Sequence, residues 1–207
     1  ACLTCASQAD ARRVALVIGN NDYRNDPMLT NPGNDAGDVA ASLTRLGFEV
    51  QQVKNGTFDN MRKGLLEFAR RARGSEIAVV FYAGHGMEVG GENYLIPIDA
   101  ELKADVDVDH EAIALKTVTP LVENASRLGL VILDACRNNP FSAKMARTIR
   151  TRAVSRGLAA VEPSGNVLIA FSAREGTTAA DGEGRNSPFT NSLLKHLETP
   201  GLEINFL

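Results

Sequence analysis

Residues 14–18 form an unbroken apolar run that stops at Gly19, the pattern of a strand covered on both faces. Val39, Leu43 and Leu46 then recur at helical spacing, and Gly47 stands where a helix C-terminus favours glycine. Residues 48–53 read as a second strand, followed by an Asn55-Gly56 turn. Met61, Leu65, Phe68, Ala69 and Ala72 make one apolar stripe of a second helix whose other face carries Arg62, Lys63, Arg70 and Arg71. Residues 77–82, 128–133 and 167–171 read as strands three to five, and helices are expected over 118–126 and 187–197. Between the third and fourth strands, residues 87–98 with Gly90-Gly91 read as a small hairpin at the sheet edge. Strands alternating with helices imply right-handed crossovers and a mainly parallel sheet covered by helices on both faces, an α/β fold.

Composition narrows this without changing it. With 207 residues, 44% of them hydrophobic, the chain can build one sizeable core. A net charge of −3 fits neither a disordered polyelectrolyte nor a broadly basic nucleic-acid binder. No apolar run approaches the roughly 18–20 residues of a membrane span. Ser7-Gln8-Ala9 resembles the end of an export signal, which implies a periplasmic or secreted protein; an arbitrary boundary explains the same residues and leaves the cytoplasm open. Ile204, Phe206 and Leu207 begin an alternating apolar run. The expected division is a leader remnant or tail over 1–12, a domain over 13–197 and the start of a further segment over 198–207.

Three cysteines, with Cys2 and Cys5 together at the start and Cys136 inside, exclude a disulfide scaffold. In an open parallel sheet, functional groups gather beyond the carboxyl ends of the strands. Strand three runs into Tyr82-Ala83-Gly84-His85-Gly86 and strand four into Asp134-Ala135-Cys136-Arg137, so a His and the interior Cys leave the same edge of the sheet. Taken singly, each has a structural explanation, but together they suit nucleophilic catalysis by a thiol assisted by an imidazole. Other chemistries lack their parts. His85, His110 and His196 are the only histidines and make no zinc set with a Cys-x-x-Cys. Gly-x-Gly-x-x-Gly after strand one, a phosphate-binding P-loop and a Gly-x-Ser-x-Gly elbow are all missing.

The His and Cys motifs, 51 residues apart, resemble those of caspase-fold peptidases, in which the His lies about 50 residues upstream of the Cys. Residues 14–23, Asn34-Asp35-Ala36, Tyr94-Leu95-Ile96-Pro97-Ile98-Asp99, Phe171-Ser172-Ala173 and Ser187-Pro188-Phe189-Thr190 are similar to the bacterial, metacaspase-like branch, the orthocaspases. The likeness covers about residues 13–197. It implies a three-layer caspase-like fold and a cysteine endopeptidase with a His85/Cys136 dyad. Backbone N–H groups of Gly86 and Cys136 would form the oxyanion hole, and Ser172 would pair its backbone with an extended peptide, or else be a plain strand-end hydroxyl.

Two departures from the caspase signature bear on substrate choice. Asp134 replaces the Gln two residues before the Cys, and Asn138 the Gly two residues after it. A carboxylate lining the specificity pocket repels Asp and attracts Arg or Lys, so peptide and protein substrates with a basic residue before the scissile bond are expected. The resemblance adds Asp35 as a second carboxylate for that side chain; a helix N-cap is the alternative role for Asp35. Residues 137–156 carry six basic side chains and no acid, which leaves −9 on the rest of the chain. Self-cleavage after Lys144, Arg147, Arg150 or Arg152 would follow, against a solvated loop or a polyanion contact. Asp99, Asp105, Asp107 and Asp109 supply the hard oxygens that calcium prefers, and the resemblance implies calcium in this part of the fold. A caspase-like module that binds proteins without cleaving them is the rival to an enzyme.

Overall fold

The computed structural model describes residues 12–136, 145–146, 148, 154–155, 158–159, 161, 165–172 and 184–201. Five strands form the parallel sheet: β1 (Arg13–Gly19), β2 (Glu49–Lys54), β3 (Ile77–Val89), β6 (Leu128–Cys136) and β8 (Val167–Phe171), in the order β2-β1-β3-β6-β8. The long helices are α1 (Pro32–Arg45), α2 (Phe58–Ala72), α4 (Leu115–Glu123) and α5 (Pro188–Leu197). No helix among the described residues is long and apolar enough to cross a membrane.

The unbroken apolar strands are explained by two cores. Successive residues of a strand face opposite sides of the sheet. Leu16, Val80 and Val131 accordingly pack with Met61, Leu65 and Phe68 of α2 and Val118 and Val122 of α4. Val17, Val79 and Ile132 pack with Val39 and Leu43 of α1 and Leu193 of α5 on the other side. Burying both faces leaves no position in the central strands for a solvent-facing polar residue until their carboxyl ends. Helix α2 starts at Thr57, whose side chain accepts from Asn60 N, a cap that contributes about 1 kcal/mol. Helix α1 ends as expected before Gly47, which takes a positive φ of 81°.

The third strand is where expectation and structure part. β3 does not stop at residue 82. It pairs with β1 and β6 in parallel and then continues to Val89, antiparallel to β4 (Glu92–Leu95). Residues 87–98 do contain the expected hairpin, turned by Gly90 and Gly91 with φ of 63° and 84°, but its first arm is the continuation of the central strand β3 and not a separate edge strand. Gly84 and Gly86 lie inside this strand and mark close packing, against the Tyr23 and Tyr82 hydroxyls and against Ala135 respectively. The second small sheet is completed by β5 (Ile113–Ala114) on β4 and β7 (Val154–Ser155) on β3. These two-residue strands, and the one-turn helix α3 (Val108–Glu111), are too short for hydrophobic periodicity to reveal.

Candidate active site

The register sets His85 of β3 opposite Cys136 of β6 as Cα partners, at the last paired position of the two neighbouring parallel strands. Adjacent strands lie about 4.8 Å apart, so these two residues are juxtaposed by backbone pairing alone. His85 is 4% exposed. Its Nε2 lies 3.0 Å from the carbonyl oxygen of Pro27. A carbonyl can only accept, so Nε2 carries the proton in the neutral ring and Nδ1 is the basic nitrogen. The ring also packs against Tyr23, centroid to centroid at 4.4 Å.

Ile96 N donates to His85 O at 3.1 Å, so His85 and Ile96 form a hydrogen-bonded position of the antiparallel ladder. By the alternation of such ladders, the next pair, Gly86 with Leu95, is non-bonded. The Gly86 N–H is thereby directed away from β4, toward the side of β3 on which β6 runs to Cys136.

Asp134 stands two residues before Cys136 on β6 and is 8% exposed. Its Oδ2 accepts from the hydroxyls of Ser187, at 2.5 Å, and Thr190, at 2.6 Å. Ser187 is the N-cap of α5: its Oγ accepts from Thr190 N, while its own N–H donates to Asp35 Oδ1 at 3.0 Å. Asp35 and Asp134, far apart in sequence, thus meet at one serine beside a helix N-terminus, where negative charge is favoured. Asp35 is not the N-cap of α1. Asn31 holds that position and Pro32 is the first helical residue, so Asp35 lies within the first turn and is buried. Nearby, the Arg185 guanidinium holds the Asp38 carboxyl below its ordinary range.

Ser172 N donates to Leu133 O at 2.9 Å, so its N–H is consumed by β6 and cannot pair with a peptide. Its Oγ has no hydrogen-bond partner among the described residues. The four aspartates considered for calcium do not converge. Asp99 accepts from Phe58 N at the start of α2, and Asp105, fully buried, accepts from the backbone and hydroxyl of Thr148. Asp107 accepts from Ala104 N, and Asp109 from the Tyr94 hydroxyl. Each is engaged in holding a different backbone segment or side chain, and among the described residues no group of three or more His, Cys, Asp or Glu is placed to hold a metal ion. The residues therefore do not fit calcium. Lys144, Arg147, Arg150 and Arg152 lie outside the described residues.

Sequence reasoning missed Pro27, Tyr23, Ser187 and Thr190 as parts of this site. Ser187-Pro188 did carry a signal, a good N-cap followed by Pro at the first helical position. Pro27 acts through its backbone, for which no residue-type signal exists.

The caspase-domain model of the Peptidase C14 family matches residues 12–206. Among curated proteins, the chain is similar to mucosa-associated lymphoid tissue lymphoma translocation protein 1 of Homo sapiens, 30% identical over 126 residues. That alignment covers 60% of this chain and 15% of the human protein. A Dictyostelium discoideum paracaspase is 27% identical over 132 residues, 61% of this chain and 31% of that protein. The chain spans well under half the length of these relatives, and the matches reach the family rather than the bacterial branch within it. With its parallel sheet, two helical layers and a family model spanning nearly its whole length, the chain belongs to the caspase-domain family of cysteine peptidases, Peptidase C14.

Proposed function

We propose that the chain is a cysteine endopeptidase that cleaves after Arg or Lys. The observation that carries the reading is the pairing of His85 with Cys136 at the last position of the parallel ladder between β3 and β6. The Cys136 thiol gives its proton to Nδ1 of His85, and the thiolate attacks the scissile carbonyl carbon, forming the C–S bond. As the C–N bond breaks, His85 returns that proton to the leaving amine, and water then hydrolyses the thioester. The Pro27 carbonyl holds Nε2–H throughout, a neutral acceptor that fixes the ring and stabilises the imidazolium. The N–H groups of Gly86 and Cys136 serve the oxyanion. One such donor contributes roughly 2.7–4 kcal/mol in transition states of this kind.

Asp134 and Asp35 receive the basic side chain of the substrate. This is supported by their meeting at Ser187, two buried carboxylates beside the strand that ends at Cys136. Self-cleavage within residues 137–156, after Lys144, Arg147, Arg150 or Arg152, follows from the same preference acting on the chain's own basic segment. Membership of the metacaspase-like branch is part of this reading and rests on the motifs.

Hydrolysis of short reporter peptides ending in Arg, Lys or Asp, with wild type beside Cys136→Ala, tests it. Turnover of the Arg and Lys reporters that vanishes in the variant is expected. Preference for Asp would overturn the pocket assignment, and no turnover of any reporter would favour a protein-binding module. Intact masses of the same two preparations report on self-cleavage, where identical uncut masses would end that part.

A further inference from the structure

His85 is held in a way its own sequence cannot provide. It lies between Gly84 and Gly86, the two residues least able to restrict a neighbouring backbone. Orientation must come from elsewhere, and two phenols supply it. Tyr23 Oη accepts from His85 N at 2.7 Å, and Tyr82 Oη donates to His85 O at 2.6 Å. Proton accounting closes the arrangement, since each phenol has one proton and can also accept. The Tyr82 proton goes to His85 O while the Ile96 N–H is shared between His85 O at 3.1 Å and Tyr82 Oη at 3.2 Å; the Tyr23 proton goes to Ile96 O at 3.3 Å. Both tyrosines are buried, and burial holds the Tyr23 phenol well above its ordinary pKa, so it stays protonated. A Cβ added to Gly84 would fall 2.6 Å from Tyr23 Oη and 2.7 Å from Tyr82 Oη, at a φ of 156°. Glycine at this position makes room for the two hydroxyls.

We propose that Tyr23 and Tyr82 are positioning residues for the reaction, a clamp whose hydroxyls grip the two sides of the His85 backbone and so aim its imidazole at Cys136. Tyr23 adds its ring against the imidazole, and Pro27, from the same loop, holds Nε2. Tyr23 and Pro27 of the loop over residues 20–30, with Tyr82 of β3, thus orient this histidine, which is one part of what a buried carboxylate does in a serine-protease triad. The inference rests on His85 being the catalytic acid and base proposed above.

The test compares Tyr23→Phe, Tyr82→Phe and His85→Ala with wild type in the full chain. Phe keeps the ring that fills the core, and a melting curve checks folding. Two readouts are taken: kcat and KM on an Arg-terminated reporter, and the rate of Cys136 alkylation by iodoacetamide from about pH 5 to 9, with peptide mapping to separate Cys136 from Cys2 and Cys5. Either Phe variant is expected to lose about tenfold or more in kcat with KM within about twofold, and to move the alkylation profile toward that of His85→Ala. Gly84→Ala displaces the hydroxyls instead of deleting them, and the same loss confined to kcat is expected. Lower melting temperatures with unchanged kcat and alkylation profiles would make the tyrosines structural only and overturn the clamp. If His85→Ala itself changes neither hydrolysis nor alkylation, the catalytic reading of His85 fails first and takes the clamp with it.

Discussion

His85 and Asp134 lie near the carboxyl ends of neighbouring strands, 4% and 8% exposed, but the structure partners them differently. Among the described residues, His85 is held by the Pro27 carbonyl, the Tyr23 ring and two tyrosine hydroxyls. Asp134 is a carboxylate supplied with hydroxyl donors and set near a second carboxylate, Asp35, through Ser187. A ring held by a carbonyl at Nε2 leaves Nδ1 as the nitrogen that can take and return a proton, which acid–base catalysis needs. Two carboxylates brought to one serine form a site complementary to a cation, which recognition of a basic side chain needs. Burial alone does not identify a site, since Asp105 is fully buried and holds Thr148; the partners of a buried group identify its role.

Breaking the two sides separately should give different kinetic signatures. The largest effect is expected from His85→Ala, a loss of about 10²–10⁴ in kcat with little change in KM. Asp134→Asn should cost about 10² in kcat/KM for an Arg reporter while preserving Cys136 alkylation, because the pocket and not the nucleophile is altered. An equal loss of alkylation in that variant would merge the two sides. Ser187→Ala removes the α5 cap and one donor to Asp134, with an expected loss of about 1–3 kcal/mol in denaturant unfolding. No change there would mean that Thr190 alone satisfies Asp134.

The smallest effect concerns pH. Burial raises the Tyr23 pKa above 10.0 in the folded protein, while the unfolded chain loses that proton near 10.0. Between those values the folded state binds more protons, so its stability falls as pH rises above about 10. Melting temperature against pH should decline less steeply in that range for Tyr23→Phe. Parallel curves would show that another group controls alkaline unfolding.

Much of this was legible in the chain itself. The continuous apolar runs of β1, β3 and β6 announced strands buried on both faces, and their alternation with helical stripes announced the parallel sheet. Because parallel neighbours carry functional groups at one end, His85 and Cys136 could be paired before any coordinates. The continuation of β3 past Gly84 was not legible, since glycine signals a stop wherever a nearby side chain does not demand it. The dispersal of Asp99, Asp105, Asp107 and Asp109 was likewise hidden. A run of carboxylates spaced for a cation loop reads the same as carboxylates that each hold a different backbone segment.

Hydrophobic periodicity is a local property, so the sequence by itself determined the five parallel strands, the long helices and the residue types where the parallel pairing ends. Tertiary structure alone decided what surrounds those ends. The grip of Tyr23 and Pro27 on His85 joins residues about sixty positions apart, and the meeting of Asp35 with Asp134 at Ser187 spans three distant segments. Such contacts depend on directional hydrogen bonds between groups that folding brings together, and no pattern along the chain encodes their geometry.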